Sequence, residues 1–584
     1  MRRLKLGLLF VDFVSLAVIM VGCGGGSSGN SQAVSFTLSA WPMTIAQGGQ
    51  GTSTITITPQ NGFSGSVTLS ASGLPNGVTA SPSSFVPNPA TTTSVLTLAA
   101  SATAATGRVT VTITGVSGSL TNNTTLSLTV NGQQQPGQIK HVVIIFQENR
   151  TPDNLFHDPV LMNRTPCPGA CADIAIQGLT SNGQMVPLTP VPLVTSYDPG
   201  HGHNAFLNAC DYNPSTNTCA MDGAYKNCSD PNCPANAPYQ YVQQSDVQPY
   251  FTMAETYTFG DRMFQTNEGP SFPAHQYILS GTSAIAATST TFVADNPVDT
   301  PSAGCLAIPG AEIDAIDTSP GNSPETPMTV ITQLCYEHPT LTDLLDAAGL
   351  SWKYYVPGAG SIWTAPDAIQ HMCVPYSADG KYDDTVCSGA DFTNPNPHVV
   401  LEGSGAQIIT DITSGQLAAV SWVIPNGKSS DHAGGNDGTG PSWVAAIVNA
   451  IGQSQYWQNT AIIVTWDDWG GWYDHQPPPT IRDSYEYGLR VPLIVISPYA
   501  KPAYVSHQNN DFGSILRFIE EVFSLQDIDY TNPSAPYADS YALGDLSDCF
   551  DFSQKPLVFT TIPAAKGADY FLNDKSPPTP PDND

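Results

Sequence analysis

The chain has 584 residues, with 19 Lys and Arg set against 49 Asp and Glu for a formal net charge of −30, and charged residues make up only 12% of it. A field of that sign repels nucleic acid and anionic surfaces, so a DNA or RNA partner is excluded and any anionic substrate must be drawn in by a local metal, imidazoles or backbone N–H groups. The length predicts two folded domains.

Met1 to Gly22 opens with Arg2, Arg3 and Lys5, runs on through an apolar stretch and ends at Gly22-Cys23 before a Gly/Ser spacer. That pattern predicts an export signal. It resembles a bacterial lipoprotein signal, with Cys23 as the acylated residue, although Asp12 interrupts the apolar run and Met20 stands where Leu is commonest. The resemblance implies an extracytoplasmic protein, secreted or held at the cell envelope by a lipid anchor. Residues 23 to 32 read as a flexible linker. From 33 to 130, runs such as TSTITITP, GSVTLSAS and RVTVTITG alternate with period two between Gly, Pro and Asn turns. This predicts an all-β sandwich, and it resembles the immunoglobulin-like modules of bacterial surface proteins. It contains neither Cys nor His, so it offers no catalytic base.

NGQQQPGQ, residues 131 to 138, reads as a second linker. Over 139 to 572, apolar strand-like runs alternate with helical patterns, which predicts βα units on a largely parallel sheet. Helices are expected over Thr340 to Leu350, leading into a strand at Trp352 to Val356, over Pro441 to Ile451, and after Asp511. Two Pro/Gly/Cys-rich insertions, roughly 157 to 250 and 284 to 335, have the length of substrate walls or lids, and residues 573 to 584 read as a disordered tail. Of 12 cysteines, Cys167/Cys171, Cys210/Cys219, Cys228/Cys233, Cys305/Cys335 and Cys373/Cys387 are neighbours in sequence and Cys549 is odd. An exported chain favours disulfides; a zinc site at Cys167, Cys171, Cys228 and Cys233 is the alternative.

The chemistry concentrates where apolar runs stop. Residues 461 to 466 end abruptly at Asp467, Asp468 and Gly470-Gly471, and His141 to Phe146 ends at Gln147, Glu148, Asn149 and Arg150. Ligands of open α/β sheets sit beyond the carboxyl ends of the strands, so both groups should share one rim. Clustered carboxylate and carbonyl oxygens suit a hard divalent cation. Ser271 follows a Gly-Pro turn and precedes helix-compatible residues, which places a hydroxyl at a helix N-terminus, where it serves either as a nucleophile or as a cap.

The segments QENRTPDNLF, GPSFPAHQYILSG, SWVIPNGKSSDH, IIVTWDDWGGWYDH, YGLRVPLIVISPYAK and VSHQNNDFGSILRFIEEVF, in that order between residues 139 and 530, resemble the bacterial phosphoesterase family. That family holds non-haemolytic phospholipases C and certain acid phosphatases within the alkaline-phosphatase-like superfamily. The resemblance implies a three-layer α/β/α domain, a divalent cation (Ca, Mg or Zn) and a phosphoseryl intermediate. It implies Glu148, Asn149, Ser271, Asp467 and Asp468 as metal ligands, Ser271 as nucleophile, and His432 with His201 or His203 as acids, His201 being favoured. His275 is expected on the substrate side, Arg150 there or as a structural partner of nearby acids, His507 there or as a loop cap, and Asp474-His475 as a supporting pair or turn. Trp466, Trp469 and Trp472 are expected to pack around the strand end. Two departures stand out: Ala274 replaces an Asn that many relatives carry, and Asp468 replaces a Glu. The expected substrate is a small phosphate ester or a phospholipid, turned over by a monomer. The rivals are a sulfatase, whose Cys/Ser-x-Pro-x-Arg motif fails at His275, and an inactive surface adhesin.

Overall fold

The computed structural model describes residues 34–579, except 41–42, 83, 86–92, 102, 106, 132–137, 166–169, 214–217, 229–231, 320–327, 378, 402–405, 480–486 and 529–536. The export signal, Cys23, the linker at 23 to 32 and nearly all of the linker at 131 to 138 therefore lie outside the described residues. The chain divides into two compact units, Met1–Val130 and Asn131–Asp584. Among the described residues no helix is long and apolar enough to cross a membrane.

In the first unit, Ser35–Ala40, Gln50–Gln60, Thr93–Ala100 and Val78–Pro82 form a four-stranded antiparallel sheet in that spatial order. A second sheet orders Met43–Ala46, Leu120–Asn131, Gly107–Ser117, Val67–Ser72 and Ser84–Phe85. The alternate residues of both sheets, among them Ile55, Ile57, Leu98, Val111, Ile113 and Leu128, meet in one apolar cluster. The period-two pattern has this physical origin, because successive strand side chains point to opposite faces.

The second unit is a mixed α/β domain built on a nine-stranded sheet. We label its strands β1 (His141–Gln147), β2 (Thr258–Phe264), β3 (Trp352–Val356), β4 (Val399–Leu401), β5 (Val420–Val423), β6 (Thr460–Trp466), β7 (Arg490–Ile496), β8 (Tyr504–Ser506) and β9 (Asn510–Asp511). Their spatial order is β4-β3-β5-β1-β6-β7-β2-β8, with β9 also on β2, and β7 alone runs against its neighbours. Strands β1 and β6 are buried almost throughout, which explains their largely apolar sequence, since a central parallel strand is covered on both faces; β7, antiparallel to both neighbours, is equally buried.

Three helices matter for the site. Helix α1 (Ser271–Ser280) is buried along its whole length and ends at Gly281, which takes the left-handed φ of 70°. Helix α2 (Gly440–Gly452) starts one residue earlier than its Pro441 suggests and runs through Gly452. Helix α3 (Phe512–Phe523) is closed by a reciprocal cap, Asp511 accepting from Ser514 N while Ser514 Oγ accepts from Asp511 N. The segment around Leu341–Ala347 is capped by Thr340 and Asp343, as its sequence predicts.

Disulfides join Cys210–Cys219, Cys228–Cys233, Cys305–Cys335 and Cys373–Cys387, and Cys549 is a free, buried thiol. Because Cys228 and Cys233 bond to each other, the zinc alternative is withdrawn. Cys171 is also disulfide-bonded, while Cys167 lies outside the described residues. The expected disordered tail needs correction too. Residues 574 to 579 are placed, with Gly427 N donating to Thr579 O at 3.0 Å and Lys428 Nζ donating to Ser576 Oγ at 3.2 Å.

Candidate active site

The register of the sheet builds the site. Strands β1 and β6 pair in parallel with Gln147 opposite Trp466, so Glu148 and Asp467 leave the sheet side by side. Asn149 then takes a left-handed φ of 61°. Its backbone N–H donates to Asp467 Oδ1 at 2.9 Å, which ties the two strand ends together. After β6 the chain must turn back tightly. Gly470 has φ 63°, and a Cβ there would lie 2.3 Å from the carbonyl oxygen of Asn149, so glycine is required on both counts. Gly470 N donates to Asp468 Oδ1 at 2.7 Å and fixes the second acid.

Helix α1 brings its first turn to the same point. Ser271 Oγ lies 3.4 Å from Glu148 Oε2 and 3.3 Å from Asp468 Oδ2. One turn on, His275 Nε2 is 3.1 Å from Glu148 Oε1 and 3.9 Å from Asp467 Oδ2. Glu148, His275 and Asp467 thus offer three ligand atoms within 4.8 Å of one another, all buried. Burial, with Asp467 and Asp468 alongside, pushes the Glu148 carboxyl well above its ordinary range, and burial beside Asp467 does the same to Asp468. Burial lowers His275 to about 4, so its imidazole is a neutral donor group. Asp467 Oδ2 has no hydrogen-bond partner among the described residues.

A second group lies on the other side of Asn149. Asp198, His201 and His432 offer ligand atoms within 4.8 Å of one another, and the side-chain amide of Asn149 lies 2.8 Å from His201 Nε2. His201 Nδ1 donates to Pro199 O at 3.0 Å and His432 Nδ1 donates to Ala433 O at 2.7 Å. A backbone carbonyl holding Nδ1 fixes the tautomer and turns Nε2 toward the site.

Sequence comparison completes the picture. The profile of the Phosphoesterase family matches residues 139–526, two thirds of the chain. The chain belongs to the Phosphoesterase family. Phospholipase C A of Mycobacterium tuberculosis is 24% identical over 462 residues, covering 72% of this chain and 78% of that one. The non-hemolytic phospholipase C of Pseudomonas aeruginosa is 23% identical over 474 residues, covering 73% and 60%. That of Burkholderia pseudomallei is 26% identical over 282 residues, covering 40% and 38%. As a Phosphoesterase chain the protein is a phosphoric ester hydrolase.

The remaining residues fall into place around this phosphoesterase centre, and three expectations need correction. His275, expected to touch substrate, stands among the carboxylates in a ligand position. Arg150, also expected on the substrate side, is fully buried and spends its donors elsewhere: Nε and Nη2 on the Asp431 carbonyl, Nη1 on Asn154 and Nη2 on Leu193 O, with Trp472 stacked 5.1 Å away. His507 pairs with Asp261 at 2.8 Å and joins a separate ion network. In that network Arg490 bridges Asp153 and Asp474 at 3.1 and 2.7 Å, and His475 bonds Asp153 and Asp173 at 2.7 and 3.1 Å. Asp474-His475 is therefore a supporting pair. Of the two histidines in DPGHGH, His201 faces Asn149, whereas His203 Nδ1 donates to the Glu268 carbonyl at 2.6 Å. Trp466, Trp469 and Trp472 are all buried, Trp466 donating Nε1–H to Asp431 at 3.1 Å. Asp198 is the acid of the Asp-x-x-His segment that ends at His201, and the two stand together with His432.

Proposed function

We propose that the protein is an exported, metal-dependent hydrolase of phosphate esters in which Ser271 is the nucleophile and a phosphoseryl group the intermediate. One observation carries the reading. Three buried carboxylates, Glu148, Asp467 and Asp468, converge with Ser271 Oγ and His275 Nε2 beyond the ends of β1 and β6, and hard divalent ions prefer such clustered oxygen ligands.

Glu148, Asn149, Asp467 and Asp468, with Ser271 and His275 beside them, are the residues that would hold the ion. When bound it supplies Lewis-acid stabilisation of phosphoryl charge and lowers the pKa of the serine hydroxyl. The protein's own groups do the rest. Ser271 attacks phosphorus in line from the first turn of α1, where the backbone N–H groups and helix dipole favour the incoming anion. Either Glu148 or Asp468, both within 3.4 Å of Ser271 Oγ, accepts its proton. His432 or His201, protonated at Nε2, gives a proton to the leaving alkoxide. Water then hydrolyses the phosphoserine by the reverse arrangement. Export rests on the sequence from Met1 to Cys23, with Cys23 as a lipid anchor. The rival to test is the inactive adhesin.

The test is hydrolysis of p-nitrophenyl phosphate and p-nitrophenylphosphorylcholine by the full chain, with and without chelator, beside Ser271→Ala. Chelator-sensitive activity that Ser271→Ala abolishes supports the proposal. Activity indifferent to both contradicts it, and no activity toward either ester favours the adhesin.

A further inference from the structure

A cavity of about 200 Å³ lies among residues that no part of the reaction yet uses. Its walls come from three separate stretches, represented by Pro297 and Ser302, by Pro357 and Trp363, and by Pro578 and Thr579. Each wall is tied to a segment that carries a reacting group. Asn296, next to Pro297, accepts from Phe272 N at 3.0 Å, directly beside Ser271. The ring of Trp363 lies 6.3 Å from that of His432. Thr579 accepts from Gly427 N, in the turn that leads to His432. None of the lining residues carries a charge, which is unusual surroundings in a chain of net charge −30. The Trp363 indole N–H is buried and has no acceptor among the described residues.

We infer that this cavity receives the alcohol portion of the substrate, that the alcohol is small and uncharged, and that the C-terminal segment ending at Thr579 is a specificity-determining wall. The inference rests on the phosphoesterase reading above and narrows it. Pockets for drug-sized ligands hold roughly 300–1,000 Å³, so this one suits a compact alkyl or aryl group and not a two-chain diacylglycerol. A quaternary ammonium would leave its counter-charge unmatched here, since binding a cation well takes a carboxylate or an aromatic cage, and Trp363 is the single aromatic residue in the lining.

The experiment compares phosphocholine with its neutral carbon isostere, 3,3-dimethylbutyl phosphate, on the full chain. Alongside run Ser302→Trp, which fills the cavity, Trp363→Ala, and a chain ended after Ser576. Inhibition by inorganic phosphate reports the phosphoryl site separately. The expected wild-type kcat/KM favours the neutral ester at least ten-fold. Ser302→Trp cuts that ratio at least five-fold, chiefly through KM, and removal of residues 577 to 584 cuts it likewise while the inhibition constant for phosphate stays within two-fold. A wild-type ratio at or below one, or a ratio that neither Ser302→Trp nor the shortened chain moves, overturns the assignment while hydrolysis itself stands. Hydrolysis of neither ester overturns the phosphoesterase mechanism and this assignment with it.

Discussion

Glu148→Gln probes the carboxylate cluster through stability, independently of turnover. Burial and the adjacent Asp467 and Asp468 hold the Glu148 carboxyl well above its ordinary 4.5, and Asp468 is raised by burial and Asp467. Without a cation, each such group keeps a proton in the folded state that the unfolded chain has already shed. The unfolded state then binds fewer protons, so stability falls as pH rises from about 4.5 toward the folded pKa. Each group costs about 1.4 kcal/mol per pH unit in that window, about 2.7 kcal/mol for the two together. Glu148→Gln removes one of them, so the slope of the chelated variant should be shallower by about 1.4 kcal/mol per pH unit. A divalent cation reverses the picture. At a hundred times its Kd it stabilises the wild type by about 2.7 kcal/mol, and the variant should lose most of that gain. Urea unfolding from about pH 5 to about pH 8, with chelator or with added Ca, Mg or Zn, reads both effects. A flat profile in chelator, or equal stabilisation of both proteins by the cation, would refute the reasoning.

Other outcomes follow from the same geometry. His432→Ala and His201→Ala should each lower kcat/KM about 10²–10⁴-fold. The loss should be smaller for p-nitrophenyl phosphate, whose leaving group needs no proton, than for alkyl phosphates, and equal losses on both would remove the acid role. Arg150→Ala should destabilise by about 3–5 kcal/mol, as expected when a buried charged partner is removed, and leave inhibition by phosphate unchanged in the protein that folds; a weakened inhibition constant would return Arg150 to the substrate side. For His475, burial lowers the pKa but hydrogen bonds to Asp153 and Asp173 outweigh it and raise it to about 10. Its contribution is therefore complete below about 6.5 and lost as pH rises to about 10. In His475→Gln the alkaline limb of stability should flatten, and an unchanged limb would assign it to another group.

What the sequence disclosed depended on how local each signal was. The ends of β1 and β6 were legible because a buried parallel strand is an unbroken apolar run, and the first polar residues after it fall at the sheet's rim. The register that sets Glu148 beside Asp467 is a long-range fact with no trace in either segment. His275 was misplaced although its signal was present: residues four apart on a helix share a face, so Ser271 and His275 must point the same way. For Arg150 the sequence left two roles open, because adjacency to Asn149 looked like membership of the site. The left-handed turn at Asn149 sends consecutive side chains in different directions, and Arg150 is consumed by backbone carbonyls of Leu193 and Asp431. The placing of Asp198 and His201 over Asn149 depends on a long insertion folding back, which composition does not encode. The C-terminal segment, read as disordered from its Pro and Asp content, docks against Gly427 and Lys428 through contacts more than a hundred residues distant in sequence.

The central claim is that a phosphoryl group passes through Ser271. Acid quenching of the full chain during turnover of a phosphate ester, followed by peptide mass spectrometry, reads it directly. The account predicts a phosphorylated Ser271 peptide that is absent from Ser271→Ala and that disappears when chelator is added before substrate. Sustained turnover with no phosphate on Ser271 at any quench time, or with Ser271→Ala as active as the wild type, would contradict it.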